Sequence, residues 1–275
     1  MHVSVRTALR RLVLAARFFA LYAAYTFLTA GLHGYLRAEA LRSHGDVATT
    51  YSMGPLDRAV FGVTPTVTLQ RALPSAGLEF AAFVIWASLF YLPLMLAAYV
   101  LATRGVRPAA ALLALHLLVV LTADAVYAAV PTRPPWMDEP VRRSIEELSG
   151  GLTSLDANPF ASAPSLHVGV PAAYALWFMG HPHIRLRRIG HILAVWVVLM
   201  TFVVIYTGEH YFFGALAGVV WAAACYLVCR ALRIAYPQHR LARDAAASPP
   251  HAPTPLRTAA VAAASQMATG EEAAA

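Results

Sequence analysis

What most limits how this chain can fold is a series of apolar runs, each near the ~20 residues that cross a bilayer as a helix. Six stand out: Leu12–Leu32, Phe80–Leu101, Ala109–Val130, Ser165–Met179, Ile192–Tyr206 and Tyr211–Leu232. Backbone polar groups find no water in hydrocarbon, so such runs satisfy themselves as helices. Each run is apolar around most of its circumference, as suits a helix that faces both lipid and neighbours. Composition agrees, since 59% hydrophobic and 13% charged residues are too few charges to clothe a soluble domain of 275 residues. The expectation is an all-α polytopic membrane bundle of about six transmembrane helices over residues 1–243. An Ala-, Pro- and Ser-rich tail over 244–275 has the make-up of disordered chain.

The first run follows Arg6, Arg10 and Arg11, as a signal peptide would. It continues to Leu32 without a small-residue cleavage site, so it reads as a retained helix. Every Lys/Arg position is arginine, and the Ala- and Arg-rich usage points to a GC-rich bacterial genome. The formal charge of +7 does not point to nucleic acid, because the arginines fall mostly between the apolar runs. One set of segments holds Arg104 with Arg107, Arg185 with Arg187 and Arg188, and Arg230 to Arg243. The opposite segments balance Arg58, Arg133, Arg142 and Arg143 with Asp57, Asp138, Glu139, Glu146 and Glu147. The positive-inside rule then expects both termini in the cytoplasm, with the loops Gly34–Leu78 and Pro131–Pro164 outside the cell membrane. Cys225 and Cys229, one turn apart in the last run, read as small apolar residues and not as a disulfide.

Three clusters map to the outer edge of this bundle. They are Pro131 to Trp136 after the third run, Pro164 to His167 opening the fourth, and Tyr206 to Tyr211 between the fifth and sixth. Two histidines and an arginine gathered there are what phosphoryl transfer asks for. One imidazole attacks phosphorus, a second protonates the leaving oxygen near neutral pH, and a guanidinium grips the phosphate oxygens. Amides at the start of the fourth helix, beside Ser165, add an anion site. A lone histidine at a membrane interface is more often a structural hydrogen-bonder, and His33 and His116 are read that way. Arg133 alone reads as a solvated loop charge, and Tyr206, Tyr211 and Trp136 as aromatic-belt residues. Only the joint pattern tips the balance toward chemistry.

The runs PTRPPWM at 131–137, ASAPSLHVG at 161–169 and YTGEHYFFGALAG at 206–218 resemble the type 2 phosphatidic acid phosphatase superfamily. With DRAVFGVTPTVTLQ at 57–70, the chain looks most similar to the branch that includes inositol-phosphorylceramide synthase-like proteins. The resemblance covers roughly residues 10–235. It implies His210 as nucleophile, His167 as general acid, and Arg133 and Ser165 as phosphate-binding residues. Three positions depart from the family's pattern. A lysine and an arginine that flank its motifs are here Val126 and Val204, and the aspartate that orients the nucleophile is Gly214. Losing such a carboxylate cost ~10⁴ in rate in a His–Asp pair of another fold.

Asp124 is the acid nearest to filling that gap. It lies inside the third run, about two turns below Pro131, where an ionisable group is costly and a functional candidate by default. Two readings stand: a substitute partner for His210 or a proton relay, and a structural pairing with some polar group. Glu209 adjoins His210 but, as a sequence neighbour, is expected to point elsewhere. The expected function is a lipid phosphatase or phosphotransferase working through a phosphohistidine, with no cofactor and no metal, on a lipid phosphate or pyrophosphate. The alternative is a catalytically impaired relative that binds headgroups or envelope partners. A transporter fits less well, since no inverted repeat accompanies Asp124 and Glu79.

Overall fold

The computed structural model describes residues 5–44, 50–149, 158–232 and 234, and the 244–275 tail expected above lies outside them. The described chain is mostly helical. α1 runs over Val5–His44, followed by strand β1 at Tyr51–Ser52, α2 at Gly54–Phe61 and α3 at Pro65–Ala72. Then come α4 at Ala76–Ala87, a 3-10 turn at Ser88–Phe90, α5 at Leu92–Arg104 and α6 at Val106–Ala129. β2 at Thr132–Arg133, α7 at Pro135–Asp138 and α8 at Ser144–Ser149 lead to α9 at Leu166–Met179, α10 at Ile184–Tyr206 and α11 at Phe212–Ala231.

Among the described residues α6, α10 and α11 are long and apolar enough to cross a membrane, and the bent pair α4–α5 would make a fourth. The expected second span is therefore not one straight helix. It breaks by 47° at the 3-10 turn, where Pro93 opens α5. Proline has no N–H to continue the ladder and its ring clashes with the preceding turn, so the helix restarts there. The expected fourth span is shorter still. α9 has 14 residues and rises ~21 Å, against the ~30 Å hydrocarbon core. It is nonetheless the centre of the bundle, with Val168, Ala173, Tyr174, Trp177 and Phe178 all buried among α6, α10 and α11. Exposed apolar surface lies further out, as at Ile192, Val195 and Val198 on α10. The expected outer loop Gly34–Leu78 is also largely helical: it holds the end of α1 and all of α2 and α3.

Two contacts fix where the site will form. α9 and α11 cross so closely that a Cβ on Gly218 would lie 2.3 Å from the Ser165 carbonyl oxygen, at the N-cap of α9. Only a residue without a side chain lets the two backbones approach this far. The start of α11 is held from outside the helix. Buried Asp57 on α2 accepts from the Phe212 N–H (2.9 Å) and the Phe213 N–H (3.1 Å), satisfying two donors that a helix start leaves orphaned. Burial raises the Asp57 carboxyl above its ordinary value, against the pull of those two bonds.

β1 and β2 pair in parallel, Tyr51 opposite Thr132. Thr132 also donates its N–H to the Phe160 carbonyl (2.7 Å), and its own carbonyl accepts from the Ser162 N–H (3.1 Å). This short ladder ties the segment before α2, the end of α6 and the approach to α9 into one rim.

Both contacts can be tested by thermal unfolding in detergent. Gly218→Val is expected to cost about 1–3 kcal/mol through overpacking. Asp57→Ala is expected to cost about 1–2 kcal/mol as a lost cap. An unchanged melting temperature in either variant would refute the corresponding account.

Candidate active site

His167 opens α9, its ring stacked on Trp86 (centroids 5.2 Å apart) and met edge-on by Phe90. His210 lies in the turn between α10 and α11. Its own N–H reaches back to the Val204 carbonyl at 3.0 Å, and Asp57 anchors α11 two residues further on. The structure brings these two sequence-predicted histidines together, with His167 Nδ1 3.3 Å from His210 Nε2.

The tautomer of His210 follows from its other nitrogen. Nδ1 lies 2.9 Å from the Ser162 carbonyl, which can only accept, so the proton is on Nδ1. In the neutral ring Nε2 therefore carries the lone pair, and His167 donates to it from Nδ1. Burial pushes the His210 pKa down to about 4, with the Ser162 carbonyl pulling weakly the other way. At neutral pH His210 is thus an uncharged imidazole with a defined, inward-facing lone pair.

Gly214 explains how the Ser162 carbonyl reaches it. A Cβ at position 214 would lie 2.6 Å from that oxygen. The missing aspartate side chain and the arriving carbonyl occupy the same place, and the carbonyl supplies the orienting acceptor.

Asp124 does not take that role. Its Oδ1 lies 2.7 Å from His33 Nε2, on α1, and Oδ2 is buried without a hydrogen-bond partner among the described residues. The substitute-partner reading is corrected by geometry, because the Nδ1 of His210 is already committed to Ser162. His33, read from the sequence as a structural histidine, lines the same small cavity as His167 and His210. That cavity, about 40 Å³, is bounded also by Tyr127, Asn158 and Glu209. A lone histidine 91 positions from its acid carries no spacing signal, so only the depth of Asp124 hinted at a partner.

Arg133 is placed differently from expectation. Its Nε lies 3.0 Å from Asp138 Oδ1, and it is not among the cavity's lining residues. Asp138 also accepts from Ser52 Oγ (2.6 Å) and the Tyr211 hydroxyl (2.9 Å), whose pKa burial raises well above its ordinary value. Ser165 is fully buried at the N-cap of α9, its N–H on the Gly214 carbonyl at 3.0 Å and its Oγ without a partner among the described residues. Glu209, expected to point away, lines the cavity while its Oε1 pairs with Arg143 Nε at 3.1 Å. The Arg143 guanidinium lies 4.4 Å over the Trp136 ring, a second cation site that the motif reading missed. Among the described residues no group of three or more His, Cys, Asp or Glu could hold a metal.

Two outcomes follow. Gly214→Asp, which restores the family's residue, is expected to lower stability and activity, because the new Cβ collides with the Ser162 carbonyl. A gain of activity would show that the carbonyl is not the orienting group. The pH dependence has a definite sign. The folded His210 pKa of about 4 lies below the unfolded ~6.5, so the unfolded chain binds the extra proton. The stability of neutral His210 is full above pH ~6.5 and is lost as pH falls toward about 4. His210→Gln should flatten the fall in melting temperature over that window, leaving the share of the other buried histidines, among them His181, whose pKa burial also lowers to about 4. Identical slopes in parent and variant would contradict this.

A family profile described as PAP2 superfamily matches residues 55–228, a stretch that holds His167, His210, Arg133 and Ser165. No curated protein and no solved structure matches the chain. With well over half its length under that profile, the chain belongs to the PAP2 superfamily, which points to phosphatase chemistry on phosphate-containing substrates.

Proposed function

We propose that this protein is a membrane-bound phosphatase or phosphotransferase that acts on lipid phosphates or pyrophosphates through a phosphohistidine on His210. The observation that carries the reading is the facing pair His167–His210, with the lone pair of His210 set by the Ser162 carbonyl. In this mechanism the phosphoryl group enters between the two rings. His210 Nε2 bonds to phosphorus as the ester or anhydride bond breaks, and protonated His167 gives its Nδ1 proton to the leaving oxygen. The start of α9, where a helix leaves N–H groups without an in-helix partner, offers the developing negative charge a stabilising site together with the helix dipole. Water or an acceptor alcohol then takes the phosphoryl group from His210. Ser165 caps this anion site. Arg133 takes part as a phosphate ligand when substrate oxygens replace Asp138 on its guanidinium.

A lipid as substrate is supported by a second, apolar cavity of about 500 Å³ lined by Met53, Leu56, Val126, Phe213, Leu216 and Trp221, among others. It shares one loop with the catalytic cavity: Ala163 and Pro164 face the groove, and Ser162 faces the histidines. The bundle is read as six spans, with α1 and the short α9 completing those that pass on length and hydropathy. The arginine asymmetry then puts both termini in the cytoplasm and the histidines at the extracytoplasmic face. Within the superfamily, the inositol-phosphorylceramide synthase-like branch is the proposed placement, on the motifs at 57–70 and 161–169. An inactive, headgroup-binding role gains little from Gly214, since the Ser162 carbonyl occupies the orienting position.

The test is phosphate release by purified protein from a panel of lipid phosphates and prenyl pyrophosphates. Release by the parent, falling by at least about 10³-fold in His210→Ala, is the expected result. Equal release by parent and variant would remove His210 from the mechanism. No release from any substrate, with or without added alcohols, would favour the binding role.

A further inference from the structure

Three imidazoles line the catalytic cavity, and they differ in what stands behind them. His210 has a carbonyl on Nδ1, and His167 has a buried Nε2 with no hydrogen-bond partner among the described residues. His33 has a carboxylate: its Nε2–H donates to Asp124 Oδ1 at 2.7 Å. Tyr127 meets the ring edge-on at 6.2 Å, and Leu36, one turn along α1, packs with Ala123 and Tyr127 of α6. Asp124 is 3% exposed, and its second oxygen has no partner among the described residues. A carboxylate at that depth is costly unless paired, so the His33–Asp124 contact holds both residues in place. With Nε2 committed to Asp124, Nδ1 is the nitrogen left to take a proton, and the carboxylate stabilises the imidazolium that results.

The size of the space limits what His33 can act on. About 40 Å³ exceeds the ~10–15 Å³ that a single water needs by this measure, so water is a reactant that fits the space His33 lines.

We propose that His33, held by Asp124, is the general base that activates the water which hydrolyses the phosphohistidine. This rests on the reading of His210 as nucleophile given above. In the step, a water O–H proton passes to His33 Nδ1 and the water oxygen bonds to phosphorus. The P–Nε2 bond of His210 breaks with its electron pair returning to Nε2, and inorganic phosphate leaves. His33 is then a catalytic residue of the second half-reaction, and Asp124 is its positioning residue. The proton moves on to solvent before the next turnover. The dyad lies outside the matched family segment at one end, since His33 precedes residue 55.

The experiment is rapid-quench kinetics of the full-length protein in detergent with phosphatidic acid labelled at the phosphoryl group. It follows diacylglycerol release and acid-labile label on the protein. His33→Ala should keep a burst of about one diacylglycerol per protein and hold the label, while turnover falls by about 10²–10⁴-fold. Added imidazole should restore part of the turnover, and Asp124→Asn should hold label with a smaller loss. A merely structural dyad would not trap label. Unchanged turnover in His33→Ala, or loss of the burst with no label, would overturn the proposal. If His33→Ala lacks a melting transition, His33→Gln is read by the same criteria. A parent that releases diacylglycerol without His210-dependent label would overturn the phosphohistidine reading, and a result of that kind is distinct from failure of the dyad.

Discussion

The backbone carbonyl of Ser162 is the interaction on which the site's arrangement depends. It accepts the Nδ1–H hydrogen bond of His210 and thereby decides which nitrogen holds the lone pair. It reaches that place because Gly214 leaves room for it and because Thr132 fixes the same residue's N–H from the other side. A carbonyl is a weaker orienting group than a carboxylate, since it lacks charge. It also adds no charge to a buried site, where the cost of an unpaired anion is several kcal/mol. The arrangement therefore trades electrostatic support of an imidazolium on His210 for a neutral ring of defined tautomer.

Charge has not left the neighbourhood; it is distributed among pairs. Asp124 is matched by His33, Glu209 by Arg143, and Asp138 by Arg133 with two hydroxyl donors. The His33–Asp124 and Arg143–Glu209 pairs, and the bonds of Asp138 to Ser52 and Tyr211, link elements far apart in sequence, so the rim of the bundle is held by polar contacts while its middle is held by apolar packing around α9. Helices in lipid gain little from excluding water, and close backbone approach such as that of Gly169 and Gly218 supplies dispersion contact in its place.

Much of this was legible in the sequence, for physical reasons that also mark where legibility stopped. Hydropathy located α6, α10 and α11 to within a few residues at most ends, because a span must be apolar throughout. The same signal missed the break before Pro93, since hydropathy averages over a bend. It also could not see that α9 stops at 14 residues and lies buried among its neighbours along most of its length. His167 and His210 were readable from their local strings, as the turn and the helix start that aim them are encoded by neighbours. His33 and Asp124 were not readable as a pair. Their contact depends on how α1 lies against α6, and neither string carries that information. Arg133 was identified by its motif, while its engagement with Asp138 depends on the fold of a loop.

The loop from Ser162 to Pro164 has one further consequence. One residue faces the histidine cavity and the next two face the apolar groove, so a single thickness of backbone separates a histidine-lined compartment from an apolar one. For an amphiphile seated across it, that loop is a waterline: the junction between headgroup and tail has to fall at its edge. Selection among such molecules would then act as a ruler does, by the number of bonds between the reactive phosphorus and the first methylene, with tail length left almost unmeasured.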